Sequence, residues 1–164
     1  MNNKTEHLEE TAQQQINSGD LPGAVSSYRE IVTLNPGNAE AWLVLGQLQH
    51  AIGNLDEAKR SALHCVEINF EYVEAWLFLS GIAGQLGEYE EAENCAWRAI
   101  ILDNNSPDAY VNYANALTYL GNITEAETNY RTAINIQPDS LQANIGLAHI
   151  LLGQTRLDEA SRLI

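Results

Sequence analysis

The chain has 164 residues, 45% of them hydrophobic, with 22 acidic against 8 basic side chains and a formal net charge of −14. That balance argues against a nucleic-acid partner, whose phosphates call for Lys and Arg, and favours neutral or basic protein partners. No apolar run reaches the roughly 18 residues a membrane span needs, and the polar start Met1-Asn2-Asn3-Lys4 shows no signal peptide, so one cytoplasmic domain over 1–164 is expected.

Residues 5–18 predict a helix with one narrow apolar stripe, Leu8, Ala12 and Ile16, and polar groups elsewhere, among them Gln13, Gln14 and Gln15. A wet outer face of this kind suits the end of a helical stack. Gly19 can end this helix in a left-handed conformation, and Asp20 is a good N-cap for the next, whose first turn tolerates Pro22. Pro36 stops that second helix.

Trp42, Leu45, Gly46 and Gln49 are spaced by three and four, which places them on one helix face. Gly53, Asn54 and Glu57 then repeat the punctuation: a left-handed stop, an N-cap and a carboxylate in the first turn, where it favours the helix dipole. Trp76, Leu79 and Ser80 open a third helix pair, followed by Gly87, Glu88 and Glu91. Tyr110, Tyr113 and Ala114 open a fourth, followed by Gly121, Asn122 and Glu125, and closed by Pro138. A fifth begins at 141 with Leu147 and Ala148. Its glycine, Gly153, comes two residues early, so a different turn is expected before Leu157. Residues 157–164 start a second helix and stop inside it, which would leave Leu147, Ile150, Leu151 and Leu163 uncovered. This edge predicts either chain beyond Ile164 or a homodimer.

These elements share a period. Gly19, Gly53, Gly87 and Gly121 are separated by 34 residues, as are Ala24, Ala58, Ala92, Ala126 and Ala160, and Trp42, Trp76 and Tyr110. The small column lets two helix backbones approach closely. The Trp–Leu–Gly–Ala–Pro pattern closely resembles the tetratricopeptide repeat family, in units 5–38, 39–72, 73–106, 107–140 and a partial 141–164. The resemblance implies an all-α, right-handed superhelix of antiparallel helix pairs whose first helices line a concave, peptide-binding groove.

On that resemblance the groove places hold Leu43, Val44, Gln47 and His50, then Leu77, Phe78, Gly81 and Gly84. Val111, Asn112, Asn115 and Tyr119 follow, then Ile145 and His149. Gly81 and Gly84 cost helix stability, so either a partner backbone lies close to them, or the helices pack tightly there, or the glycines are simple drift. The stretch 108–115 is similar to units of the O-linked N-acetylglucosamine transferase array, where groove asparagines bond peptide backbone; Asn112 and Asn115 occupy those places. Glu40, Glu74 and Asp108 sit in first turns and would form an acidic rim. The expected partner is a peptide or helix with apolar or basic anchors. No groove place is Lys or Arg, which excludes the carboxylate-clamping mode of the chaperone-binding members.

Catalysis finds no support. His7, His50, His64 and His149 lack metal-ligand spacing, no cofactor motif appears, and Cys65 falls in a small packing column with Ala99 and Ala133. Two alternatives stand beside the binding module: the N-terminal recruiting arm of a larger glycosyltransferase- or sulfotransferase-like enzyme, and a self-associating structural module.

Overall fold

The computed structural model describes residues 3–163. Met1, Asn2 and Ile164, on which the expectations about the polar lead and the last apolar residue rest, lie outside the described residues. Among the described residues there are ten helices and no strand: α1 (Asn3–Ser18), α2 (Leu21–Leu34), α3 (Ala39–Ala51), α4 (Leu55–Ile68), α5 (Val73–Leu86), α6 (Tyr89–Leu102), α7 (Pro107–Tyr119), α8 (Ile123–Ile136), α9 (Leu141–Gly153) and α10 (Leu157–Ala160). The links inside each pair are two or three residues long, which leaves only antiparallel hairpins.

Each hairpin is closed by backbone geometry that the glycine column makes possible. Gly19, Gly53, Gly87 and Gly121 have φ between +79° and +84°. At the second turn Gly53 N–H donates to the His50 carbonyl and Asn54 N–H to the Gln49 carbonyl, both at 2.9 Å. This pair of bonds satisfies carbonyls that a helix end otherwise leaves open. The fifth turn corrects the sequence expectation. Gly153 stays inside α9, and Thr155 takes the left-handed place at φ +62°. Its N–H donates to the Leu152 carbonyl (3.0 Å) and Arg156 N–H to that of Leu151 (2.9 Å), so the turn is the same. A branched residue now bears a conformation that suits glycine.

The caps also differ from expectation. Among the described residues only Asp20 caps a second helix through its side chain, accepting from Gly23 N–H at 3.0 Å; Asn54, Glu88 and Asn122 make no such bond. Side-chain caps instead serve first helices, where Asn38, Ser106 and Ser140 accept from the N–H groups of Ala41, Ala109 and Ala143.

The chain divides into two compact units, 1–75 and 76–164. In the first, Ala24, Val25, Ile31, Val32, Ala41, Leu45 and Leu48 form the core, flanked by Leu8, Ile16, Trp42 and Val44. A polar pair repeats across its hairpins: Ser27 Oγ donates to Gln15 Oε1 (2.8 Å, partly buried), and Ser61 Oγ to Gln49 Oε1 (2.6 Å, buried). Trp42 Nε1 donates to the Pro36 carbonyl six residues back (3.0 Å), tying the α3 start to the loop before it. Cys65 is fully buried, as its column predicts, and burial pushes its thiol up to about 11.

In the second unit, Val111, Leu117, Tyr130, Leu147, Ile150 and Leu151 sit in one core cluster with the small residues Ala114, Ala126, Ala143 and Ala160. The six-back tie recurs from Tyr110 Oη to the Asn104 carbonyl (3.3 Å) and, with an amide in the aromatic column, from Asn144 Nδ2 to the Pro138 carbonyl (3.1 Å). The expectation of an uncovered edge at Leu147, Ile150 and Leu151 is corrected: all three are buried, because Ala160 and the half-buried Leu163 pack on the same cluster. The exposed apolar groups of α9 and α10 are instead Leu141, Ile145, Leu152 and Leu157. Arg156 fastens the last turn, reaching both Glu127 oxygens (2.8 and 3.0 Å) and both Glu159 oxygens (2.8 Å each).

Candidate functional site

Within the second unit, α5 and α7 are the walls of an open cavity of about 500 Å³. Its α5 side is Ser80, Gly81, Gly84 and Gln85. A Cβ built on Gly81 or Gly84 would meet nothing within 4 Å, so tight helix packing does not explain these glycines. They leave bare backbone open to the cavity at a helix-propensity cost of about 1 kcal/mol each.

The α7 side is a ridge of Asn112, Asn115 and Tyr119, residues three and four apart on one face. The same ridge borders a second cavity of about 450 Å³, closed from the other side by Gln142, Ile145, Gly146 and His149 of α9. Tyr119 is 68% exposed, and its ring stacks on Tyr89 of α6 with centroids 4.4 Å apart and planes 4° from parallel. One face of the Tyr119 ring is held and the rest is offered to solvent.

The two asparagines are used differently. Asn112 Nδ2 donates to the Leu77 carbonyl at 3.2 Å, which commits one of its two N–H donors to the fold. Asn115 accepts from Tyr130 Oη at 2.5 Å through Oδ1. Burial raises the Tyr130 phenol above its ordinary value, so it remains a donor at neutral pH. This bond orients the Asn115 amide, and Asn115 borders both cavities. Tyr130 reaches this place because Gly146 makes room; a Cβ there would lie 2.4 Å from the tyrosine ring.

The structure therefore brings together Gly81, Gly84, Asn112, Asn115, Tyr119, Ile145 and His149 of the expected groove residues. Two others are almost fully buried. Leu43 and Val111 are only 5% and 3% exposed; Val111 belongs to the cluster of Leu117 and Leu147 while still bordering the second cavity. Val44, His50, Leu77 and Phe78 are half-buried and Gln47 is exposed; none of these borders the two cavities. Glu40, Glu74 and Asp108 lie in the first turns of α3, α5 and α7 and are exposed. Neither Lys nor Arg occurs on α3, α5, α7 or α9. Sequence reasoning missed Gln85, Tyr89, Tyr130 and Gln142. Tyr89 had a visible signal, an aromatic in a column otherwise held by Leu21, Leu55, Ile123 and Leu157.

Among the described residues no group of three or more His, Cys, Asp or Glu is placed to hold a metal ion, and no helix is long and apolar enough to cross a membrane. The arrangement suits binding: open backbone, an oriented amide and an aromatic plate.

Models of the tetratricopeptide repeat match residues 15–61, 73–105 and 107–140. No curated protein matches the chain. Among solved structures, the crystal structure of MamA is 25% identical with a TM-score of 0.89, covering 99% of this chain and 89% of that one. YrrB, a tetratricopeptide protein with an unusual peptide-binding site, is 17% identical with a TM-score of 0.78, over 99% of this chain and 89% of that one. The first such domain of Spaghetti (RPAP3), bound to the HSP90 peptide SRMEEVD, is 19% identical with a TM-score of 0.69, over 71% of this chain and 93% of that one. At these identities the last two show a shared fold.

Proposed function

The chain belongs to the tetratricopeptide repeat family, and on that premise we propose that it is a protein-interaction module, not an enzyme, which binds an extended peptide over α5, α7 and α9. The observation that carries the reading is Gly81 and Gly84, two helix-weakening residues over open space beside the oriented Asn115 amide and the Tyr119 ring. Two glycines a turn apart let a peptide backbone approach the helix, the amide can pair with any peptide unit, and the ring gives an apolar contact. YrrB and RPAP3 engage peptides on the same fold, which supports the choice of ligand class. An acidic segment like the HSP90 peptide would find no cation on α5, α7 or α9 and would face the acid of Glu74 and Asp108. Peptides with apolar and basic anchors fit this surface.

The test is selection of binders from a random peptide library on the full chain, followed by rebinding to Gly81→Leu, Tyr119→Ala and the wild type. Selected peptides should lose about tenfold or more in affinity on Gly81→Leu, while its thermal unfolding is unchanged or later. Peptides that bind all three proteins equally would place the site elsewhere.

Self-association is a second reading, favoured by Leu141 and Leu157, which are 71% and 62% exposed. Sedimentation of a monomer at high concentration would discard it.

A further inference from the structure

One inter-repeat contact is made at two of four equivalent places and omitted at the other two. Arg29 donates its guanidinium to Glu57, and Arg131 donates to Glu159 at 3.3 Å; in both cases a second helix reaches the next second helix 28 residues on. The 34-residue period puts Leu63 and Trp97 in the arginine column between them, and Glu91 and Glu125 in the glutamate column. So Trp97 and Glu125 stand where Arg29 and Glu57 stand, with the cation replaced by an indole.

The indole does not fill the place. Trp97 is 51% exposed, held on one side by the Tyr113 ring with centroids 5.7 Å apart and planes tilted by 38°. Tyr113 Oη donates to Glu125 Oε1 at 3.2 Å. Glu125 therefore receives a neutral phenol where Glu57 and Glu159 receive guanidinium groups. Burial first, and then the charge of Glu125, its bond to Tyr113 and the charge of Glu93, push the Tyr113 phenol up to about 12. The patch consists of an open indole face, a supporting phenol and two carboxylates, all on α6, α7 and α8 and apart from the cavities described above.

We propose that Trp97, Tyr113 and Glu125 form a second docking point, which takes an arginine side chain of a partner protein. The planar guanidinium stacks on the open face of Trp97 and donates to Glu125, restoring from outside the ion pair that Arg29 and Arg131 make internally. Lysine fits less well, because a compact, strongly hydrated ammonium can neither stack nor bond in a fork. The net charge of −14 brings basic partners to this surface.

The test uses the full chain and acetyl-Gly-Arg-Gly-amide, followed through the indole N–H resonance of Trp97. The arginine peptide should shift this resonance at millimolar concentration and leave those of Trp42 and Trp76 in place. Replacing Arg by Lys or Gln in the peptide, or Glu125 by Gln in the protein, should weaken binding by about threefold or more. Trp97→Arg supplies the missing cation in cis. It should retain the fold, as the two arginine-bearing repeats do, and lose binding as measured by the shift of the Tyr113 resonances. Equal shifts with the Arg and Gln peptides would reduce the site to a nonspecific aromatic surface and overturn the proposal. So would unchanged binding in Glu125→Gln or Trp97→Arg. Loss of peptide selection in Gly81→Leu leaves this patch untouched, so the two readings fail separately.

Discussion

At the scale of single residues, glycine has opposite meanings at neighbouring positions of one helix. Gly87 ends α5 at φ +79°, while Gly81 and Gly84 lie inside it in ordinary helical backbone over open space. The same substitution should therefore change sign. Gly87→Ala should cost about 1–2 kcal/mol, because Cβ is disfavoured in left-handed backbone. Gly81→Ala should add about 1 kcal/mol through helix propensity alone. Urea unfolding of the two variants beside the wild type checks both, and a loss of stability at Gly81 would mean that its environment is not open. Thr155 offers the reverse experiment. It bears φ +62° where four repeats use glycine, so Thr155→Gly should stabilise the last turn by about 1 kcal/mol, visible as slower amide exchange over α10.

At the scale of the helix pair, packing is specified by small residues and by one optional polar bond. The alanine column is buried in all five pairs, so any larger side chain there would push two helices apart. The Ser61–Gln49 bond is buried, both residues being under 5% exposed. The third pair has Ala83 and Cys95 in those places and folds the same way. Gln49→Ala alone should cost about 1–3 kcal/mol, since it leaves the Ser61 hydroxyl buried without its partner. Adding Ser61→Cys should recover part of that loss. A double-mutant cycle in urea measures it, and a fully additive pair would show that the bond contributes nothing.

At the scale of the molecule, charge is unevenly placed. Seven of the eight basic residues lie outside the first helices, and three of them, Arg29, Arg131 and Arg156, make ion pairs from one repeat to the next. Around Glu127, burial works to raise the carboxyl, but the guanidinium groups of Arg131 and Arg156 outweigh it and hold it below the ordinary carboxylate value. The network therefore stabilises the C-terminal turn fully above the ordinary carboxylate range, and that contribution is lost as pH falls through the depressed value. Amide exchange over α9 and α10 should quicken below about pH 4 more than exchange over α2 and α3, and Arg156→Ala should remove the difference. Uniform quickening along the chain would show that the network is not the cause.

Much was legible in the sequence because a repeat states each rule several times. The 34-residue period, the left-handed glycines, the buried alanines and the all-helical class follow from residue size and backbone freedom, which act locally. The ridge of Asn112, Asn115 and Tyr119 was legible for the same reason, as three residues on one helical face. Whether a groove place is open or packed was not legible. Leu43 and Val111 are almost fully buried, Asn112 uses one N–H on the Leu77 carbonyl, and Tyr130 crosses over Gly146 to orient Asn115. Each depends on what the next helix presents, and sequence spacing along one helix carries no record of its neighbour. The turn at Thr155 shows the same limit from the other side. Residue type pointed to a different turn, and the packing of Ala160 and Leu163 on α9 together with the Arg156 ion pairs held the common one.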